Sequence, residues 1–335
     1  MRPLNQLVLV NVSELNAADD PFVDLPVLGD RSVLWRRFSG LPRNLLERKV
    51  QRPRISRYRA ASEAVHAARG SAAIISHMPR MTNAVSAQGG AKLPPHLAFA
   101  FNFTTLPPVA ERARMAARFA RVDQFCVYTR FEAEMYASAF KLDPARFRPV
   151  SWTQDMPALA TDVSLPDRPY VIAIGGEGRD FRTLVATARA LPMVDFVVVA
   201  RPHVALMDVP RNMTVRYNVP LKECWALAAA AEMLLVPLLG PETCCGHITI
   251  VSARLLGLPI ITTISRGTVE YTQDFEGTVV VPAGDTDRMQ EAILQIRDDP
   301  DGARTRSSAD AVVAQVRYGR GLWADYVSEF LQRVA

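Results

Sequence analysis

Short apolar runs alternate along this chain with stretches whose apolar positions recur at helical spacing. That pattern predicts strands over residues 7–10, 72–77, 96–104 and 122–129, and a strand with a proline-ended turn over 147–157. Helices are predicted over 60–69, 107–120 and 130–140, the second with proline near its start. The second half repeats the alternation more clearly. Strands are predicted over 170–178, 194–202, 212–220, 233–239, 260–263 and 278–285, with helices over 179–191, 221–232, 246–256 and 286–298. Strands that alternate with helices imply a parallel sheet covered on both faces. Residues 158–168, ALATDVSLPDR, are polar and aperiodic and read as a linker. A last helix over about 318–334 carries Tyr318, Leu322, Trp323, Tyr326, Val327, Phe330 and Leu331 on one stripe, which another surface has to cover.

With 335 residues, 49% of them hydrophobic and 22% charged, the chain is long enough for two domains with separate cores. The net charge of +5 is mild, but its distribution is uneven. Between 31 and 59 stand Arg31, Arg36, Arg37, Arg43, Arg48, Lys49, Arg52, Arg54, Arg57 and Arg59 against the single acid Glu47, interleaved with Leu34, Trp35, Phe38, Leu41, Leu45 and Leu46. Such a segment suits an anionic membrane surface, a nucleic acid or phosphorylated substrate, or a solvated basic helix over the core. No apolar run reaches the roughly 18–20 residues that span a bilayer, so any membrane contact is made from the surface. Cys126, Cys224, Cys244 and Cys245 lack metal-type spacing. With no signal peptide, the expected compartment is a reducing cytoplasm.

Ligands of open parallel sheets bind beyond the carboxyl ends of the strands, so strand-end residues are the candidates for chemistry. Gly175, Gly176, Glu177 and Gly178 close a strand and open a helix, where backbone N–H groups can approach a phosphate. Arg179 follows at the helix start; a cation is unfavourable there unless an anion is bound. The segment lacks both the strict G-x-G-x-x-G fingerprint and the P-loop Lys-Ser/Thr. Gly246 starts a second helix aimed the same way, beside His247, and Gly257-Leu258-Pro259 ends it. Two helix N-termini in one cleft suit a sugar diphosphate; a plain structural βαβ unit is the alternative. His203, just beyond Arg201, contacts a donor phosphate or nucleobase, or caps a loop. In the first half, His77 ends a strand and is either a general base toward an acceptor hydroxyl or a hydrogen-bonded strand-end histidine. Asp155 is the alternative base. Arg80, Asn102 and Thr104 stand beside these strand ends as candidates to bind ligand oxygens, the acceptor's if the chain transfers a group, and Glu132 reads as a favourable acid at a helix start. No spacing supports a metal site.

CGHITIVSARLLGLPIITT resembles the donor-binding segment of bacterial nucleotide-sugar glycosyltransferases of the GT-B fold. GGEGRDFRTLVATA resembles their diphosphate-binding turn, and GTVEYTQDFEGTVVVPAGD the loop that follows. IISHMPRMT, FAFNFT and VDQFCVYTRFEAEMY resemble the exopolysaccharide-type (glycosyltransferase group 1-like) members, and the likeness covers about residues 70–295. It implies an α/β protein of two Rossmann-like domains facing each other across a cleft. Residues 1–157 would bind the acceptor and 169–317 the donor, with 158–168 as linker and 318–335 returning to the N-terminal domain. Gly175, Gly176, Arg179, Arg201, Glu242, Gly246, His247, Ser252 and Glu270 would hold a nucleoside-diphosphate sugar, and closure of the two halves would bring His77 or Asp155 to the acceptor. Many relatives carry two glutamates eight positions apart that hold sugar and ribose hydroxyls; counted back from Gly257, those positions are Cys244 and Ser252. Glu242, two residues upstream, and Glu270 are the substitute acids, and Ser252 keeps one hydrogen bond.

The expectation is a metal-independent, hexosyltransferase-like enzyme without a cofactor, acting on a lipid-linked or polysaccharide acceptor at the inner face of the membrane. Two rivals stand beside it: a non-catalytic relative that binds a sugar nucleotide or partner, and a nucleic-acid-binding protein using residues 31–59.

Overall fold

The computed structural model describes residues 7–15, 27, 33–51 and 54–334. Arg31 and Arg52 of the basic segment lie outside them. The chain divides into two units, one of residues 1–151 with 320–335, the other of residues 152–319.

The first unit is a six-stranded parallel sheet of β1 (Leu7–Ser13), β2 (Val33–Ser39), β3 (Ala73–His77), β4 (His96–Phe99), β5 (Gln124–Val127) and β6 (Phe147–Pro149) in the order β2-β1-β3-β4-β5-β6. The basic segment is not one helix. Trp35, Arg36 and Arg37 lie on the edge strand β2, followed by α1 (Leu45–Lys49) and α2 (Ile55–Ala67). Its arginines reach the few acids nearby: Arg54 and Arg57 pair with Glu14, Arg43 with Glu63, and Arg59 with Glu47 and Glu63. Helices α2 and α3 (Pro79–Gly89) pack Ala60, Ala61, Ala64, Met81 and Val85 on β1 and β3. Helices α4 (Val109–Phe119) and α5 (Arg130–Phe140) close over β4 and β5 around Phe101, whose ring lies 4.8 Å from Phe125 and 5.1 Å from Phe119. Strand β4 is shorter than its apolar run because Ala100 turns to φ 51° and ends it. The last helix, α11 (Gly321–Val334), belongs to this unit; Trp323 packs edge-on to Phe99 at 5.1 Å and donates to the Ser151 carbonyl, and Tyr326 accepts from Gln124.

The second unit is also a six-stranded parallel sheet, of β7 (Tyr170–Gly175), β8 (Asp195–Ala200), β9 (Met213–Tyr217), β10 (Met233–Val236), β11 (Ile260–Thr263) and β12 (Thr278–Val281) in the order β12-β11-β10-β7-β8-β9. This is the doubly wound arrangement, whose order reverses between β7 and β10. Successive residues of the central strands go to opposite cores. Ile172 and Leu234 meet α7 (Leu221–Ala229) and α8 (His247–Leu255), while Val171 and Leu235 meet α6 (Phe181–Ala190) and α9 (Thr286–Asp298). One further helix, α10 (Pro300–Arg317), packs on α8. The stretch 158–168, expected as a linker, lies along this unit: Ala160 donates to the Lys222 carbonyl, and the Ser164 carbonyl accepts from Arg216.

Candidate functional site

The strand order reverses between β7 and β10, the place where ligands of such sheets bind beyond the carboxyl ends, and the two glycine-bearing segments follow those two strands. The turn after β7 is tied to the segment after β10. Asp180 N–H donates to the Pro237 carbonyl at 2.9 Å, and Leu239 N–H to the Gly178 carbonyl at 3.1 Å. Gly175 is required at its position. Its φ is +142°, and an added Cβ would lie 2.8 Å from Arg179 Nε.

Arg179 is only 8% exposed. Its guanidinium lies against Gly175 on one side and Gly246 on the other, donating to the Ile174 and Glu177 carbonyls and, at 3.2 Å, to Thr249 Oγ1 on α8. Among the described residues no carboxylate pairs with it. Burial draws it down to about 10, so it remains cationic at neutral pH. A buried cation without a counter-ion is an unfavourable arrangement that an anionic ligand relieves.

The two helix N-termini differ. Asp180 caps α6, its carboxylate accepting from Thr183 N–H at 3.0 Å and Thr183 Oγ1 at 2.6 Å, so that end already carries its anion. Helix α8 has Gly246 as N-cap and no side-chain cap, leaving its first N–H groups and positive dipole end beside Arg179.

His247 is buried, and burial holds it down at about 4, so it is neutral and not a charged phosphate ligand. Its Nε2–H donates to the Gly267 carbonyl at 2.6 Å, pinning the loop after β11 to α8. Ser252 is fully buried and accepts from Gln154 Nε2 at 2.7 Å, so its hydroxyl is already engaged. Arg201 follows β8 and lays its side chain across Gly176; beside it exposed His203 pairs with Glu177 at 3.1 Å. Glu242 is exposed in the loop before α8, and Glu270 is half-buried in the turn Val269–Tyr271, its carbonyl accepting from Arg317. Leu239, Ile248, Ile264 and Val269 are all exposed and all follow β10 or β11, giving this end of the sheet an apolar rim.

In the first unit the strand order turns between β1 and β3. A buried hydrogen bond spans that point: His77 Nε2–H donates to Asn11 Oδ1 at 2.6 Å. The amide oxygen accepts, so Nε2 carries a proton, and the ring is 2% exposed. Asp155 is exposed and belongs to the second unit. Arg80 is paired with Glu111, Thr104 is exposed in the loop after β4, and Asn102 donates to the Glu132 carboxylate. Glu132 is fully buried and also accepts from Tyr128 N–H at 2.8 Å; burial pushes its carboxyl up to about 7. Its capping signal, Thr129-x-x-Glu132, is legible in the sequence, but its burial against Asn102 is not. Asn11 had a signal too, as the one amide in the apolar run 7–12. Among the described residues no group of three or more His, Cys, Asp or Glu can hold a metal ion.

Two parallel doubly wound sheets and a last helix in the first unit match the GT-B fold. Among solved structures, the chain is similar to sucrose-phosphate synthase from Thermosynechococcus elongatus (TM-score 0.69, 16% identity, 98% of this chain and 99% of that one). It is equally similar to HepE of Anabaena, solved in complex with UDP-glucose (TM-score 0.70, 12% identity, 98% and 100%), and to a glycosyltransferase from Rickettsia africae (TM-score 0.68, 10% identity, 98% and 99%). No family model and no curated protein matches the sequence.

Proposed function

We propose that this protein is a glycosyltransferase that takes a nucleoside-diphosphate sugar in its second unit and passes the sugar to an acceptor hydroxyl. One observation carries the reading: Arg179, buried and without a carboxylate partner, stands at the topological switch point beside the uncapped end of α8. That arrangement suits a diphosphate. The fold neighbour HepE, solved with UDP and with UDP-glucose, supports the same ligand class.

In the proposed reaction the acceptor oxygen bonds to the anomeric carbon and the bond from that carbon to the diphosphate breaks. The charge of the departing nucleoside diphosphate falls on Arg179 and the α8 amides, without a metal. The acceptor proton goes to His77 Nδ1 or to Asp155. Arg80, Asn102 and Thr104 hold the acceptor, a lipid-linked or polysaccharide chain. The protein works at an anionic membrane face. Arg201, Glu242 and Glu270 complete the donor site.

The test is the melting temperature of the full chain with millimolar UDP, GDP and UDP-glucose, followed by UDP release in transfer assays. At a ligand concentration of about 100 Kd the stabilisation is about 2.7 kcal/mol, and Arg179→Ala should abolish it. No shift with any nucleotide would remove the donor site from these strand ends. A second reading, a sugar-nucleotide-binding protein without turnover, is favoured by Cys244 and by the engaged Ser252 where relatives carry carboxylates. Nucleotide binding with no UDP release from any acceptor would select it.

A further inference from the structure

Helix α1 is a small platform whose one buried side chain points inward. That side chain, Glu47, accepts from Arg59 Nε at 2.8 Å and from Arg43 N–H at 2.7 Å. The bond from Arg59, then that from Arg43, keeps its carboxyl below the ordinary range. Asn44 caps the helix by accepting from Glu47 N–H at 2.9 Å. Held this way, α1 turns its other four residues outward: Leu45 is 72% exposed, Leu46 64%, and Arg48 and Lys49 are exposed as well.

The neighbouring acids are already spent. Glu14, Glu47 and Glu63 pair with Arg43, Arg54, Arg57 and Arg59, and among the described residues no carboxylate pairs with Arg48 or Lys49. Two adjacent leucines displayed beside two unpaired cations match a surface that is anionic outside and apolar beneath. Nucleic acid would use the cations alone and leave the leucines in water.

We propose that α1 is the contact by which the first unit rests on an anionic lipid surface, with Leu45 and Leu46 entering the headgroup–acyl boundary and Arg48 and Lys49 on the lipid phosphates. This deepens the membrane part of the proposed function and does not depend on the donor chemistry.

The test is co-sedimentation of the full chain with vesicles of phosphatidylcholine alone or mixed with phosphatidylglycerol. The wild type should bind the mixed vesicles at least about tenfold more tightly than the neutral ones. Leu45→Ser with Leu46→Ser, and separately Arg48→Glu with Lys49→Glu, should each weaken that binding about tenfold or more. Both pairs should keep the wild-type melting temperature, since all four side chains face outward. Unchanged vesicle binding by either pair overturns the proposal. So does equal binding of both vesicle types, or duplex DNA binding that depends on Arg48 and Lys49 while vesicle binding is absent. A protein that still shifts with UDP but ignores vesicles sinks this contact and leaves the donor site standing. The reverse result sinks the donor site alone.

Discussion

Asn102 follows strand β4 and Glu132 lies in the first turn of α5 after β5, and the carboxyl that joins them is fully buried. Its folded value of about 7 lies above its ordinary one, so the folded state holds a proton that the unfolded state has released. The stability this contributes is complete below about pH 4.5 and is lost as pH rises toward 7. Wild type should therefore lose stability relative to Glu132→Gln over that window, as urea unfolding at pH 5 and pH 8 would measure. His96 and His247 act in the opposite sense. Burial holds them at about 3 and about 4, so their contribution is complete above about pH 6.5 and falls away on acidification. The urea midpoint should drop between pH 6.5 and pH 4, and less so in His96→Gln.

Among the elements, α6 and α8 show how a cap decides what a helix end can do. Asp180→Ala should cost roughly 1 kcal/mol of stability in urea unfolding. It should also leave two anion-seeking termini where there was one, so UDP should still raise the melting temperature. Gly175→Ala, strained at φ +142° and driven into Arg179, should remove the UDP shift. Most elements of the second unit were legible because their cores are Val, Leu and Ile at clean spacing. Helix α10 was not. Its buried positions are Ala303, Ser307, Asp310 and Ala314, a stripe of small and polar residues that packs on α8 without an apolar signal. Strand β2 was hidden for a related reason: an edge strand bearing Trp35, Arg36 and Arg37 imitates a basic amphipathic helix. The glycine-bearing turns after β7 and β10 could be placed from the sequence. The bond from Arg179 to Thr249, which decides where the guanidinium lies, joins residues 70 apart and has no local signature.

At the scale of the whole chain, the second unit is one uninterrupted segment with two cores of its own. A protein consisting of residues 152–319 should fold and keep the UDP-dependent rise in melting temperature, measured against the full chain. The first unit is built differently, because its final piece, residues 320–335, follows the second unit in the chain. Trp323 on Phe99 and Tyr326 on Gln124 are added only once that piece is made. The amino-terminal unit should therefore complete its core only after the second unit has been translated, which pulse-proteolysis of a chain ending at residue 319 would measure. Losing residues 321–334 should injure the unit made earliest, not the one made beside them.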